Sequence, residues 1–123
     1  MIKVISCPDF DKDVKHLAKK YPSIKDDIEV VSSALQVDWV SLPHIERINN
    51  LWDDIVIPVF KLRRVWCKSL KNPTKLRLIF AYDANSNEIQ LIQFLEIYAK
   101  WEKVMEDRNR IKKYLKRRNV LLN

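Results

Sequence analysis

Apolar positions in the first third of the chain recur mostly at helical spacing. Ile2–Ser6 is a short apolar run ended by Cys7-Pro8, which predicts an opening strand. Phe10, Val14, Leu17 and Tyr21 then repeat every three or four residues, with Asp9 placed to cap the start and Pro22 to stop the end. Ser23-Ile24-Lys25-Asp26 reads as a capping box in which Asp replaces the usual Glu. The stripe Ile24, Ile28, Val31, Leu35 makes a second helix, antiparallel to the first across Tyr21-Pro22-Ser23. Residues 37–58 carry Trp39, Val40, Leu42, Ile45, Ile48, Leu51, Trp52 and Ile55, with Pro43 and Pro58 interrupting. They read as an extended, partly helical connection packed over the core.

From Pro58 the period changes to two. In Val59–Cys67, Phe60, Leu62 and Trp66 share one face while Lys61, Arg63 and Val65 share the other, because successive strand side chains point opposite ways. In Lys75–Tyr82, Leu76, Leu78, Phe80 and Tyr82 oppose Lys75, Arg77, Ile79 and Ala81. Asp83-Ala84-Asn85-Ser86-Asn87 reads as a turn in which Asn serves where Gly otherwise would, since the chain has none. Ile89–Tyr98, apolar nearly throughout, predicts a central strand covered on both faces. A final helix is expected from about Trp101 to Lys116, with Trp101, Val104, Met105, Ile111 and Leu115 inward. The expected fold is α+β with element order β-α-α-β-β-β-α: one domain over residues 1–123, a small antiparallel sheet with helices packed on it.

Charge changes this picture more than composition does. The formal net charge is +7, but residues 1–58 hold a local −3 and residues 59–123 a local +10. Lys61, Arg63, Arg64, Lys68, Lys71, Lys75 and Arg77 follow one another with no acid among them. A solvated surface mixes signs, so a single-sign stretch on strands points to an anionic partner, and RNA phosphates fit it. The bland reading is that strand cations deter edge pairing and that Lys116-Arg117-Arg118 answer a helix macrodipole. Two cysteines, Cys7 and Cys67, and two histidines, His16 and His44, lie too far apart for zinc-type spacing, so no metal or other cofactor is expected. Both cysteines are expected as buried thiols, and His16 and His44 as structural or exposed. No apolar run reaches the ~20 residues of a spanning helix, and the start lacks a signal-peptide pattern, which predicts a cytoplasmic protein without membrane contact.

The segments Val59-Phe60-Lys61-Leu62-Arg63, Lys75–Tyr82 and Glu96-Ile97-Tyr98-Ala99-Lys100, in that order after two helices, resemble the core of the RelE/ParE superfamily of toxin–antitoxin toxins. The resemblance covers most of the chain, though Leu76 stands where family members often carry Gly, and residues 37–58 are longer than in minimal members. It implies a RelE-like toxin: a ribosome-dependent endonuclease of messenger RNA, inhibiting translation and held inactive by a cognate antitoxin. Metal-free RNA cleavage needs a base for the 2′-hydroxyl, cations for the phosphorane and a proton for the 5′-oxygen. Lys61 is the candidate base or phosphate clamp, Arg63 and Arg77 the phosphorane stabilisers, and Tyr98 and Lys100 the groups that orient or protonate. Arg64, Lys68, Lys71, Lys75 and Lys103 are candidate RNA contacts. Trp101 is expected to close the core, with base stacking as its alternative, and Tyr114 to pack. Competing readings are a ParE-like gyrase inhibitor, a non-catalytic RNA- or ribosome-binding protein, and an interaction protein whose basic groove receives an acidic segment.

Overall fold

The computed structural model describes residues 2–52, 55–70, 72, 75–86 and 89–122, without the side chains of residues 85, 86 and 117–122. The order is β1 (Ile2–Ser6), α1 (Pro8–Ala18), α2 (Ile24–Asp38), a 3-10 turn (Trp39–Ser41), β2 (Ile45–Arg47), β3 (Val59–Leu62), β4 (Leu76–Ser86), β5 (Ile89–Ala99) and α3 (Arg108–Leu122). The chain is therefore α+β, with five strands in the order β1-β5-β4-β3-β2.

Three expectations about the sheet need correction. The sheet is mixed, because β1 runs parallel to β5, with Val4 opposite Ile92. A strand lies inside the expected connection: β2 pairs antiparallel with β3, Glu46 opposite Lys61. The strand predicted over Val59–Cys67 ends at Leu62, and Trp66, expected on the core face, is exposed. The alternation in β4 stands as read. Leu76, Leu78 and Phe80 enter one core with Phe10, Leu17, Ile24 and Leu35, while Ile79 and Ala81 enter a second with Val59, Leu95, Ile111 and Leu115.

Helix boundaries follow local chemistry that periodicity does not capture. Asp9 lies within α1, where Pro8 occupies the first turn and its missing N–H costs nothing. Ser23 precedes α2 without a side-chain cap; its hydroxyl instead donates to the buried Asp27, 2.7 Å away, so Asp26 completes no capping box. The last helix begins seven residues later than expected. Asp107 caps it, its carboxylate accepting the Arg110 N–H at 3.0 Å, and Trp101, Val104 and Met105 lie exposed in the preceding loop. Trp39, just past α2, packs on Phe60 and Tyr82 with ring centroids 4.8 and 4.9 Å away, which fixes the connector against the first face of the sheet.

α1 and α3 cover opposite faces and are tied around the edge of β5. The Asp13 carboxylate accepts the Ile97 N–H at 3.1 Å, because β1 ends before that position and leaves it unpaired. Arg110 forks onto the same carboxylate at 2.6 and 3.2 Å and also donates to the Leu95 carbonyl. Cys7 and Cys67 are buried free thiols, and burial raises the pKa of each.

Candidate functional site

The second face of the sheet is divided in two. α3 covers one half with Ile111 and Leu115; the other half carries polar side chains brought together by strand register. Glu46, Lys61, Ile79 and Glu96 form one row across β2, β3, β4 and β5. Arg77 and Tyr98 form the next, and Arg63 continues β3, its N–H donating to the His44 carbonyl at 2.9 Å.

A β-bulge places two of these groups. The β4–β5 register slips between Ile79↔Glu96 and Phe80↔Phe94, leaving Leu95 as the extra residue. Ile92 and Phe94 face the first core before the bulge, and Ile97 and Ala99 face it afterwards. The change of phase turns Glu96 and Tyr98 onto the second face, where an unbroken alternation from Phe94 would send both to the first.

Acids distant in sequence meet the cations. Lys61 pairs with Glu106 at 3.1 Å, their side chains 14% and 4% exposed. Glu106 Oε2 has no hydrogen bond among the described residues, so that contact holds by charge alone. Arg63 donates to Glu46 at 2.5 Å on the open surface, which lowers the Glu46 pKa and raises that of Arg63. Lys103 pairs with the buried Glu96, which also accepts the Asp107 N–H at 2.8 Å. The expectation of an uncompensated cationic surface is thus corrected. Lys61, Arg63, Arg77 and Lys103 share the face with Glu46, Glu96 and Glu106, a nearly balanced set.

Arg77 is buried and donates to the Arg63 carbonyl at 2.7 Å, which couples the two guanidinium-bearing segments. Tyr98 is buried as well, and its pKa is pushed up to about 12 by burial and by the Glu106 and Glu96 carboxylates. It stays protonated at neutral pH and can donate a hydrogen bond but not act as a base. A cavity of about 180 Å³ opens beside it, lined by Asp13, His16, Glu96, Tyr98, Glu102 and Lys103. A larger cavity of about 790 Å³ lies between β1, α1 and α2, lined by Phe10, Val14, Ile28 and Phe94 among others, on the face away from these groups.

Of the candidate residues, Lys61, Arg63, Arg77, Tyr98 and Lys103 share one face. Lys100 and Lys75 lie exposed at the end of the sheet, joined through the Lys100 N–H and the Lys75 carbonyl at 2.8 Å. Arg64 and Lys68 are exposed in the segment after β3, and Lys71 lies outside the described residues. His16 is exposed and paired with Glu102 at 2.7 Å. Tyr114 is half-buried, its hydroxyl donating to Asp9 at 2.9 Å.

Sequence reading overlooked Glu96 and Glu106. A carboxylate inside the apolar run of β5 was a legible signal for Glu96. Nothing marked Glu106, which meets Lys61 only through tertiary folding.

Among the described residues no three side chains are grouped to hold a metal ion, and no helix is long and apolar enough to cross a membrane. Comparison with protein-family models, curated proteins and solved structures finds no match to this chain.

Proposed function

We propose that the protein is an endoribonuclease acting on messenger RNA at the ribosome, the RelE-like toxin of a toxin–antitoxin pair. The observation that carries this reading is the register that sets Lys61, Arg63, Arg77 and Tyr98 on one half of one sheet face. In such a reaction the 2′-hydroxyl gives its proton to a solvent water, its oxygen bonds to phosphorus as the P–O5′ bond breaks, and the departing 5′-oxygen takes a proton from solvent. Arg63, exposed on the rim, and Arg77 behind it supply positive charge for the phosphorane. Lys61 serves as a clamp on the phosphate, in place of the carboxylate it now holds. Tyr98, neutral throughout, donates a hydrogen bond to a phosphate oxygen or to the leaving 5′-oxygen. Lys100 would orient the strand from the sheet end.

Arg63→Ala is the discriminating variant. The Arg63–Glu46 pair is about half exposed, so its loss costs at most ~1 kcal/mol of stability. Cleavage of messages on programmed ribosomes, read by toeprinting, is expected to fall roughly 10²–10⁴-fold. A loss below about threefold rejects the assignment. The toxin half of the reading is tested by co-expression with the product of an adjacent gene, where a stable complex that suppresses growth arrest is expected.

A second reading is favoured by the ion pairs themselves. With Lys61, Arg63 and Lys103 each holding a carboxylate, the face suits RNA or ribosome binding without cleavage. It predicts salt-dependent binding and no cut product.

A further inference from the structure

At the end of the sheet where β5 finishes lies a cluster that shares only Lys100 with the proposed cleavage site. Trp101 follows β5 and is 44% exposed, a large aromatic on the surface of a loop. Its ring stands edge-on to Tyr21, with centroids 5.9 Å apart and planes at 74°. Lys20 from the end of α1 and Lys75 before β4 bring their ammonium groups to 5.7 and 5.5 Å from the Trp101 ring centre.

Among the described residues, no carboxylate answers the charges around this ring. Continuing the register Leu76↔Ala99 by one residue sets Lys75 opposite Lys100, and the backbone bond between them fixes that juxtaposition. Like charges directly opposite across a ladder destabilise it, which favours an anion bound between them. Among the described residues, none of Lys20, Lys75 and Lys100 has a carboxylate within ion-pair distance. The nearest acid in the loop, Glu102, is held by His16. This contrasts with the cleavage face, where Lys61, Arg63 and Lys103 are all paired.

We propose that Trp101, with Lys20, Lys75 and Lys100, is a docking platform for one nucleotide of single-stranded RNA, the base stacking on the indole and the flanking phosphates meeting the lysines. The proposal rests on the reading of the protein as RNA-directed and adds a subsite to it. An acidic peptide would satisfy the lysines but gives no reason for an exposed indole among them; a nucleotide uses both. Trp101 stands three residues beyond Tyr98, in the turn that follows Ala99, so the platform adjoins the proposed cleavage face along the chain.

The test is binding of a fluorescein-labelled ten-residue oligouridine to the full chain, by anisotropy, with a decaglutamate peptide as the comparison. Trp101→Ala is expected to weaken RNA binding about 5- to 100-fold, and Trp101→Phe to restore most of it. Lys20→Ala/Lys75→Ala, at exposed positions that leave the core intact, is expected to flatten the slope of log K against log salt by about 1.4, at roughly 0.7 per phosphate. Binding by Trp101→Ala within twofold of the parent overturns the platform, as does an unchanged slope in the double lysine variant. It is also overturned if oligouridine does not bind, or if decaglutamate binds as tightly and loses as much with Trp101→Ala. The two readings fail separately. Trp101-dependent binding without any cleaved message leaves the platform standing and removes the nuclease, whereas Arg63-dependent cleavage with Trp101-independent binding does the reverse.

Discussion

Replacing Lys61 by Met keeps most of the side-chain volume and removes the charge opposite Glu106. With the Glu106 side chain only 4% exposed and that of Lys61 14%, water cannot replace the lost cation. Breaking one partner of a buried pair costs about 3–5 kcal/mol, and Arg108, 3.8 Å from the other Glu106 oxygen, keeps the loss toward the lower figure. At RT ≈ 0.59 kcal/mol, the lower figure is on the order of a 150-fold change in the folding equilibrium, a large share of the ~5–15 kcal/mol that a domain has. Glu106→Gln leaves the Lys61 ammonium without its partner and is expected to cost less, about 1–3 kcal/mol, since that group is the more exposed of the two and the amide can still accept a hydrogen bond. The double variant is expected to recover part of the sum, giving a coupling energy of at least about 1.5 kcal/mol. Urea titration reads it directly: at roughly 1–3 kcal/mol per molar, Lys61→Met lowers the midpoint by about 1 M or more with an unchanged slope. A coupling below about 0.5 kcal/mol would refute the reasoning, showing that the pair is solvated and Lys61 free to meet a phosphate. The outcome also governs how activity data are read. A dead Lys61 variant that is half unfolded says nothing about catalysis, and for that reason the nuclease test rests on Arg63.

Three further perturbations probe the groups around this pair. Tyr98 holds its proton more tightly when folded, with a pKa of about 12 against 10, so its contribution is full below pH 10 and lost between 10 and 12. That difference is worth about 3 kcal/mol, and urea melts at pH 9 and 11.5 should show a fall that Tyr98→Phe reduces without removing, since Tyr21, Tyr114, Cys7 and Cys67 are raised as well; an equal fall in both refutes it. Asp9 is the opposite case: the Tyr114 hydroxyl lowers its pKa below 3.8, so its stabilisation is present above that pH and lost as pH falls through the folded value. Tyr114→Phe is expected to cost about 0.5–1.5 kcal/mol at pH 7 and less at pH 2, and a gap independent of pH would contradict this. Asp13→Ala strips the Arg110 fork and the Ile97 N–H of their acceptor, for a loss of about 3 kcal/mol, on the order of 10 °C in melting temperature. Arg110→Lys should fail to preserve stability, lacking the two-pronged geometry, and amide exchange at Ile97 should quicken in Asp13→Ala.

What the sequence made legible was local. The alternation of Leu76, Leu78, Phe80 and Tyr82 against Arg77, Ile79 and Ala81 assigned both faces of β4, because a period of two survives wherever both faces are packed. β2 escaped notice because Ile45-Glu46-Arg47 has one apolar residue in three and sits at the sheet edge, where alternation is not required. The start of α3 was misplaced because Trp101, Val104 and Met105 fall at helical spacing by coincidence. The loop that carries them is instead held by the Glu102 and Lys103 N–H groups on the Ala99 carbonyl and, at its end, by the Asp107 N–H on Glu96. Asp107 before Arg-Asn-Arg was a readable cap, outweighed by the apolar count. The site was legible as cations and not as a balanced set. Lys61 and Glu106 are forty-five positions apart, and the bulge at Leu95 that turns Tyr98 inward leaves no mark in a run that is apolar on both faces.

The carboxylates alter what the cationic strands can do. Glu106 and Lys103 belong to the same loop, which crosses the face and is pinned at both by ion pairs to Lys61 and Glu96. On the proposed reading, a phosphate that enters the row must take the place of the Glu106 carboxylate, so the free energy of that ion pair is subtracted from binding. The apparent affinity then falls with the fraction of molecules in which the pair is open. Arg63, already half in water and paired to an equally exposed Glu46, opens at little cost and is the natural first contact. The coupling energy between Lys61 and Glu106 is therefore both a stability measurement and the threshold an incoming anion must exceed. A large value means the face discriminates strongly against isolated phosphates and admits only a strand that gains further contacts elsewhere. Trp101 and the lysines around it, which have no carboxylate partner among the described residues, are where such contacts are available without breaking an ion pair of that loop.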